Sequence, residues 1–133
     1  MPLSGRSRAR VPARRLTPAE RAHLAPHFDA DVMAAARVVD GRVPLWLRPG
    51  MCGVTLGCVI YLRPGAYRAD AADGIELLAH ELVHVQQFAR GMTLLRYLWA
   101  SRRGYWRNPY EVEARAIAAR VRASAGMRIE ALA

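Results

Sequence analysis

A proline-free segment, residues 71–90, constrains this chain most, because helix signals bound it at both ends and two spaced histidines lie within it. Asp70 and Asp73 lie at its start and Gly91 follows its end, which is the pattern of a helix with an acidic first turn and a glycine stop. An apolar stripe at helical spacing would pack this helix on a core; its members are Leu78, Leu82, Val85 and Ala89. The segment therefore predicts one long amphipathic helix.

A histidine pair on this helix indicates a metal site. His80 and His84 are four residues apart, so their imidazoles leave the same helix face and can both reach one ion. Glu81 lies beside that face, where it can hold a zinc-bound water by its proton without being a ligand. The alternative is that both histidines bond carbonyls or water on a half-buried helix. The spacing and the adjacent carboxylate favour a zinc cofactor, with Glu81 as the general base of a peptide hydrolase.

Catalytic zinc takes three protein ligands, and a downstream helix offers the third. Asn108 is a suitable N-cap and Pro109 suits the first helical position, so a helix begins here. Either Glu111 or Glu113 would face the histidines. We favour Glu111, because Ala114 lies one turn further on, where a small residue permits close packing. The alternatives are a capping box between Glu111 and the Asn108 amide, and a solvated position for Glu113.

Two segments carry a resemblance to a known family: Leu77 to Gln87, which holds the histidine pair, and Gly104 to Ala114. Together they resemble the zincin-like metallopeptidases of the extracellular contractile injection system core-domain family, and more broadly the glutamate zincins. The resemblance covers roughly 75–118. It implies that His80, His84 and Glu111 are the metal ligands and that Glu81 is the general base.

One departure from the glutamate zincins concerns the support of the histidines. Many of these enzymes have an aspartate four residues after the ligand glutamate, where it supports a histidine, and this chain has Arg115 there. Orientation of His80 or His84 must then come from another residue.

The length of 133 residues and the 53% hydrophobic content suit one small domain. We expect a basic, disordered tail at 1–16 and a single zincin-like domain at 17–133. Short helices are predicted at 17–25 and 29–37, and a two- or three-stranded antiparallel sheet from 45–47 and 54–62. The predicted class is α+β, in which this sheet precedes the motif helix and a glutamate-bearing C-terminal helix. The resemblance implies that an edge of this sheet binds an extended peptide. We expect the strand at 59–62 to form part of that edge, or alternatively to be an ordinary core strand.

The positive charge of the chain suggests further classes of binding partner. Net charge is +9 and all 20 basic residues are arginines, which suits an acidic partner, but no nucleic-acid-binding motif accompanies them. The basic, apolar segment 92–103 could contact a membrane surface peripherally or pack on the domain, and the small size of the chain favours packing. A peptide or protein substrate is the favoured partner. Remaining alternatives are a catalytically silent metal-binding module of a secretion or injection particle, and a basic binding protein for nucleic acid or membrane.

The sequence also gives expectations for the cellular compartment of the protein and for the state of its two cysteines. Without a secretory signal, cytoplasmic residence is the default, and non-classical export would leave no mark in the sequence. Cys52 and Cys58 are expected to be small buried thiols rather than a disulfide.

Overall fold

The predicted α+β class is confirmed in the computed structural model, which describes residues 11–132. The elements in chain order are α1 (Pro18–Leu24), α2 (Ala30–Ala35), β1 (Arg37–Asp40), β2 (Gly53–Leu56), β3 (Val59–Leu62), α3 (Ala72–Ala89), α4 (Leu94–Ala100), two 3-10 turns (Ser101–Arg103 and Tyr105–Arg107) and α5 (Pro109–Leu132).

The start of the described chain is fastened to the domain. Thr17 and Glu20 form the capping box of α1, with Glu20 N–H donating to the Thr17 hydroxyl and Thr17 N–H donating to the Glu20 carboxylate. Arg14 pairs with Val38 through backbone hydrogen bonds and donates two further bonds to Glu20. Leu16 is buried in the core. Of the expected tail at 1–16, residues 11–16 are thus described, and 1–10 lie outside the described residues.

The sheet differs from the predicted antiparallel one. Its strand order is β1-β3-β2, with β1 parallel and β2 antiparallel to β3. The helix predicted at 29–37 ends at Ala35, and Arg37 is already the first residue of β1. The helix stops because Ala36 has extended backbone (φ −62°, ψ 141°) and the Arg37 guanidinium donates to the carbonyls of residues 34–36. The predicted strand at 45–47 is wrong, since that segment forms a turn with exposed side chains.

The position of β3 corrects the edge prediction. β3 pairs on both sides, so it is the central strand, and Ile60 and Leu62 are fully buried in the core. The predicted edge at 59–62 is therefore wrong and its core alternative is confirmed. Among the described residues, β2 is the edge strand whose outer side has no strand partner, whereas the outer side of β1 receives Arg14.

The helix pair α3 and α5 positions the candidate site. Leu78, Leu82 and Val85 of the predicted stripe are buried, whereas its fourth member, Ala89, is exposed at the end of α3. α5 presents small residues to α3 at helical spacing; its buried apolar members are Ala114, Ala118, Val121 and Ala125. Because alanine adds little bulk, the backbones of the two helices can approach closely, and the first turn of α5 comes to rest beside the histidine pair.

Two burial predictions are wrong. Met92 is buried, but no residue of α4 is, so the segment 92–103 leaves the leucines and the tryptophan of α4 exposed instead of packing them on the domain. Cys52 and Cys58 are exposed free thiols, because they lie at the two ends of the β2–β3 hairpin rather than inside it.

Candidate metal centre

Three predicted ligands converge where α3 meets α5. The His80 and His84 rings lie 5.1 Å apart between centroids, as their spacing on α3 requires. Oε1 of Glu111 is 2.5 Å from Nε2 of His84 and 3.3 Å from Nε2 of His80. The three ligand atoms all lie within 4.8 Å of one another, and within residues 11–132 this is the group of side chains that could hold a metal ion.

The start of α5 places Glu111 in this group. Asn108 is fully buried, and its Oδ1 accepts a hydrogen bond from the Tyr110 N–H at 2.9 Å, which caps the helix. Asn108 N–H donates instead to the Tyr105 carbonyl, so the alternative capping box with Glu111 does not form. Glu111 is only 1% exposed, and its carboxylate faces the histidines.

Glu113 has a different partner. Its side chain is exposed, and its Oε1 accepts a hydrogen bond from Nε2 of Gln87 at 2.9 Å. Of the two candidate glutamates, the structure therefore brings Glu111 and not Glu113 to the histidine pair.

Gln87 is the residue that orients His84, and sequence reasoning missed it. Its Nε2 donates to the Tyr110 carbonyl and to Glu113, which turns its Oε1 toward Nδ1 of His84 at 2.8 Å. Because Oε1 can only accept, Nδ1 carries the proton and Nε2 keeps its lone pair. This is the state in which a histidine ligates a metal. The available signal was the position of Gln87, three residues after His84 on the same helix.

The donor set fits a cation. With its proton on Nδ1, His84 presents a lone pair to the Glu111 carboxylate at 2.5 Å, and two electron-rich atoms that close need a proton or a metal ion against them. Burial raises the pKa of Glu111, but the adjacent His80 and His84 outweigh burial and hold the pKa far below the usual range. Burial lowers the pKa of His84, and the neighbouring carboxylates more than reverse that shift.

Glu81 lies between this centre and the sheet edge. It is buried, and the Thr55 hydroxyl of β2 is 2.7 Å from its Oε2. Burial raises the pKa of Glu81, against the lowering effect of His84, His80 and Thr55. Gly53 leaves room here, because a Cβ at that position would lie 2.9 Å from the Tyr61 carbonyl oxygen and 3.6 Å from Cγ of Glu81. Sequence reasoning missed Thr55, since nothing local to it marks a partner 26 residues away.

Comparison with known proteins assigns the family. The model of the eCIS core domain matches residues 15–92, more than half of the chain. The chain belongs to the eCIS core domain family. The matched range includes α3 with both histidines and Glu81, and it ends before Glu111. Neither the curated proteins nor the solved structures gave a match. In the described part of this eCIS core domain protein, no helix has the length and apolarity to cross a lipid bilayer.

Tyrosines border the Glu111 side of the centre in this eCIS core domain protein. Three side chains close in sequence to Glu111 are candidate oxyanion donors: Tyr105, Tyr110 and Arg107. Of these, Tyr105 has its hydroxyl near Glu111, and burial followed by that carboxylate raises its pKa. Tyr110 contributes its carbonyl to Gln87, and Arg107 is exposed on a 3-10 turn. Tyr97 was missed: its ring meets His84 edge-on at 6.4 Å, and burial together with Glu111 raises its pKa to about 12.

Arg115, which stands where many glutamate zincins have an aspartate, faces away from the histidines. Its guanidinium lies 4.2 Å from the Trp106 ring centroid and donates to the Trp106 carbonyl. Gln87 takes over the supporting position, as the departure from the glutamate-zincin pattern required.

Proposed function

We propose that this chain is a zinc-dependent peptidase in which His80, His84 and Glu111 hold the metal and Glu81 is the general base. The observation that carries the proposal is the convergence of the three ligand atoms within 4.8 Å, with a second carboxylate, the buried Glu81, beside the two histidines on α3. Two imidazoles and one carboxylate are a donor set of catalytic zinc sites, which keep one coordination position open. A structural site would fill all four positions.

A zinc ion held there would act as a Lewis acid and make water a stronger acid near neutral pH. The chain's own residues account for the proton transfers. Glu81 would accept a proton from the attacking water and pass it to the leaving amide nitrogen. The Thr55 hydroxyl would hold the Glu81 carboxylate in one orientation, since it donates to Oε2. Tyr105 or Tyr97, whose raised pKa values keep the hydroxyls protonated, would donate a hydrogen bond to the developing oxyanion.

A substrate peptide would bind along β2. This strand is the edge of the sheet beside α3, and its Thr55 already contacts Glu81. An extended peptide can add to such an edge through backbone hydrogen bonds, which would lay its amide carbonyls past the metal centre. Val54 and Leu56 are half-buried on β2 and offer apolar contacts to substrate side chains.

Metal analysis with matched glutamate variants tests the ligand set. We expect purified protein to hold one zinc per chain, His84→Ala and Glu111→Gln to lose it, and Glu113→Gln to retain it. Glu113 is the matched control because it lies on the same helix two residues away and carries the same charge. Equal zinc retention in Glu111→Gln and Glu113→Gln would contradict the assignment.

Cleavage of a quenched fluorescent peptide library tests the chemistry. Glu81→Gln should keep zinc and lose cleavage, because the amide cannot accept the proton of the attacking water. A Glu81→Gln variant as active as the parent would refute Glu81 as the base. If the parent protein retains zinc but cleaves no peptide, the peptidase proposal is refuted and the chain is a metal-binding module without catalytic activity.

A further inference from the structure

An exposed apolar face lies on α4 and the turn after it, next to the metal centre. We call it the α4 surface and define it by its large exposed side chains: Leu94, Leu95, Leu98, Trp99 and Trp106. Leu95 is 80% exposed and Trp106 is 71% exposed. Leu94 and Leu98, like Leu95 and Trp99, are four residues apart, so one side of the helix presents them together. An exposed cluster of this kind marks an interaction site.

The charges around the α4 surface specify what it contacts. Four arginines lie in the same segment: Arg96, Arg102, Arg103 and Arg107. No acidic residue occurs between Glu81 and Glu111, so nothing within that stretch offsets their charge. An apolar face whose own segment carries only cations is complementary to a layer of anionic headgroups above an apolar interior.

The side chains also have the shapes that an interface of this kind selects. Indole rings combine an apolar body with a polar N–H and concentrate at the headgroup level of bilayers. Arginines extend their charged ends to the headgroups while their stems stay in apolar surroundings. The Arg102 guanidinium already lies 4.5 Å from the Trp99 ring centroid, which puts a cation at the border of the apolar face.

We propose that the α4 surface docks this protein onto an anionic lipid bilayer. The helix would lie in the interface plane with its leucines and Trp99 among the acyl chains, and the arginines would bind headgroup phosphates and carboxylates. A shallow groove of about 590 Å³ between α4 and the start of α5, lined by Leu95, Trp99, Pro109 and Tyr110, adds apolar surface for an acyl chain. Because Tyr97 of the same helix contacts His84, docking would hold the metal centre close to the membrane.

Binding to vesicles tests the apolar part of the proposal. The full chain is titrated with phosphatidylcholine vesicles containing phosphatidylserine, and with pure phosphatidylcholine vesicles. We expect binding to the former, and Leu95→Ala/Trp99→Ala should weaken it by roughly a hundredfold, about tenfold for each side chain removed. The matched control is Leu45→Ala/Trp46→Ala, which removes an exposed leucine and tryptophan in the loop between β1 and β2. Circular dichroism checks that both variants are folded.

Charge reversal tests the cationic part. Arg103→Glu/Arg107→Glu should weaken binding by about 25-fold or more, since each arginine near an anionic surface contributes about fivefold. Arg42→Glu/Arg120→Glu changes the net charge equally at exposed positions outside the α4 surface and should have a much smaller effect. This control matters because the chain has arginines outside the α4 surface, among them Arg6, Arg8 and Arg10, which carry the same charge.

Several results would overturn the proposal. The proposal is wrong if the parent does not bind vesicles that contain phosphatidylserine. It is also wrong if the test and control variants lose the same amount of vesicle affinity. Binding of single-stranded DNA but not vesicles, lost in Arg103→Glu/Arg107→Glu, would assign the surface to nucleic acid. Concentration-dependent dimerisation abolished by Leu95→Ala/Trp99→Ala, without lipid binding, would assign it to a second copy of the chain.

Discussion

Replacing Gln87 by methionine should weaken zinc binding although Gln87 is not a ligand. The glutamine is 4% exposed, and its amide joins Nδ1 of His84 to the Tyr110 carbonyl and to Glu113. Methionine fills a similar volume, so the core should stay packed. The variant leaves Nδ1 of His84 without its acceptor, and Nε2 is then free to carry the proton that excludes a metal.

The size of this effect follows from the lost hydrogen bonds. Losing the partner that orients a ligating histidine weakens metal affinity by about 10–100-fold, which is about 1.4–2.7 kcal/mol. The apo protein should also lose about 1–3 kcal/mol of unfolding free energy, because the hydrogen bonds of Gln87 to His84, to the Tyr110 carbonyl and to Glu113 are lost. Competition titration against a zinc chelator measures the first quantity, and denaturant unfolding in excess chelator measures the second.

Gln86→Met is the matched control for this variant. Gln86 is also buried, at 7% exposed, but adjacent helix residues leave the axis about 100° apart, so its side chain lies on another face of α3. Zinc affinity should stay within about threefold of the parent. A Gln87→Met variant that binds zinc as tightly as Gln86→Met would refute the orienting role.

Three further changes test other parts of the structure. Burial raises the pKa of Glu20, but its hydrogen bonds lower the pKa overall. The stability that Glu20 contributes is therefore present above the ordinary pKa of 4.5 and is lost as the pH falls through the lower folded pKa. In urea unfolding, Glu20→Gln should lower the free energy of unfolding by about 2 kcal/mol at pH 7, and this free energy should change less between pH 7 and pH 3 than in the parent. Ala118→Leu should lower the free energy of unfolding by about 1–3 kcal/mol, because the larger side chain separates α3 from α5. Ala119→Leu, on the exposed face of α5, should change it by no more than about 0.5 kcal/mol, and thermal melts measure both. Thr55→Val should lower the turnover number about tenfold with zinc content unchanged, and Thr55→Ser should restore it, because only the hydroxyl holds Glu81; full activity of Thr55→Val would remove that role.

The parts of the site that the sequence could predict depend on local rules. His80 and His84 share a face because a helix repeats every 3.6 residues, and this holds wherever the helix packs. The preference for Glu111 over Glu113 depends on the small residue Ala114, and in the structure Ala114 is buried against α3. These inferences needed no knowledge of distant contacts.

The residues that the sequence could not reveal are joined across the fold. Gln87 bonds to Tyr110, 23 residues away, and Thr55 bonds to Glu81, 26 residues away. No local pattern specifies such pairs, because they depend on how the helices and the sheet are placed.

The sheet errors have a similar origin. The helix predicted at 29–37 ends at Ala35, and the β-branched Val38 and Val39 that follow pack in β1 beside the central strand. The apolar run at 45–47 predicts a strand, but it has no partner strand among the described residues. Apolar content alone does not separate a buried strand from an exposed loop.

X-ray absorption at the zinc edge measures the central claim most directly. We expect zinc-loaded protein to show two imidazoles and oxygen ligands at about 2.0–2.1 Å. Glu111→Gln, which loses zinc on purification, should show the imidazole signal only after reloading in excess zinc, with a lower zinc affinity than the parent. Ligation by sulfur, or an unchanged spectrum and affinity after both His84→Ala and Glu111→Gln, would contradict a centre built from His80, His84 and Glu111.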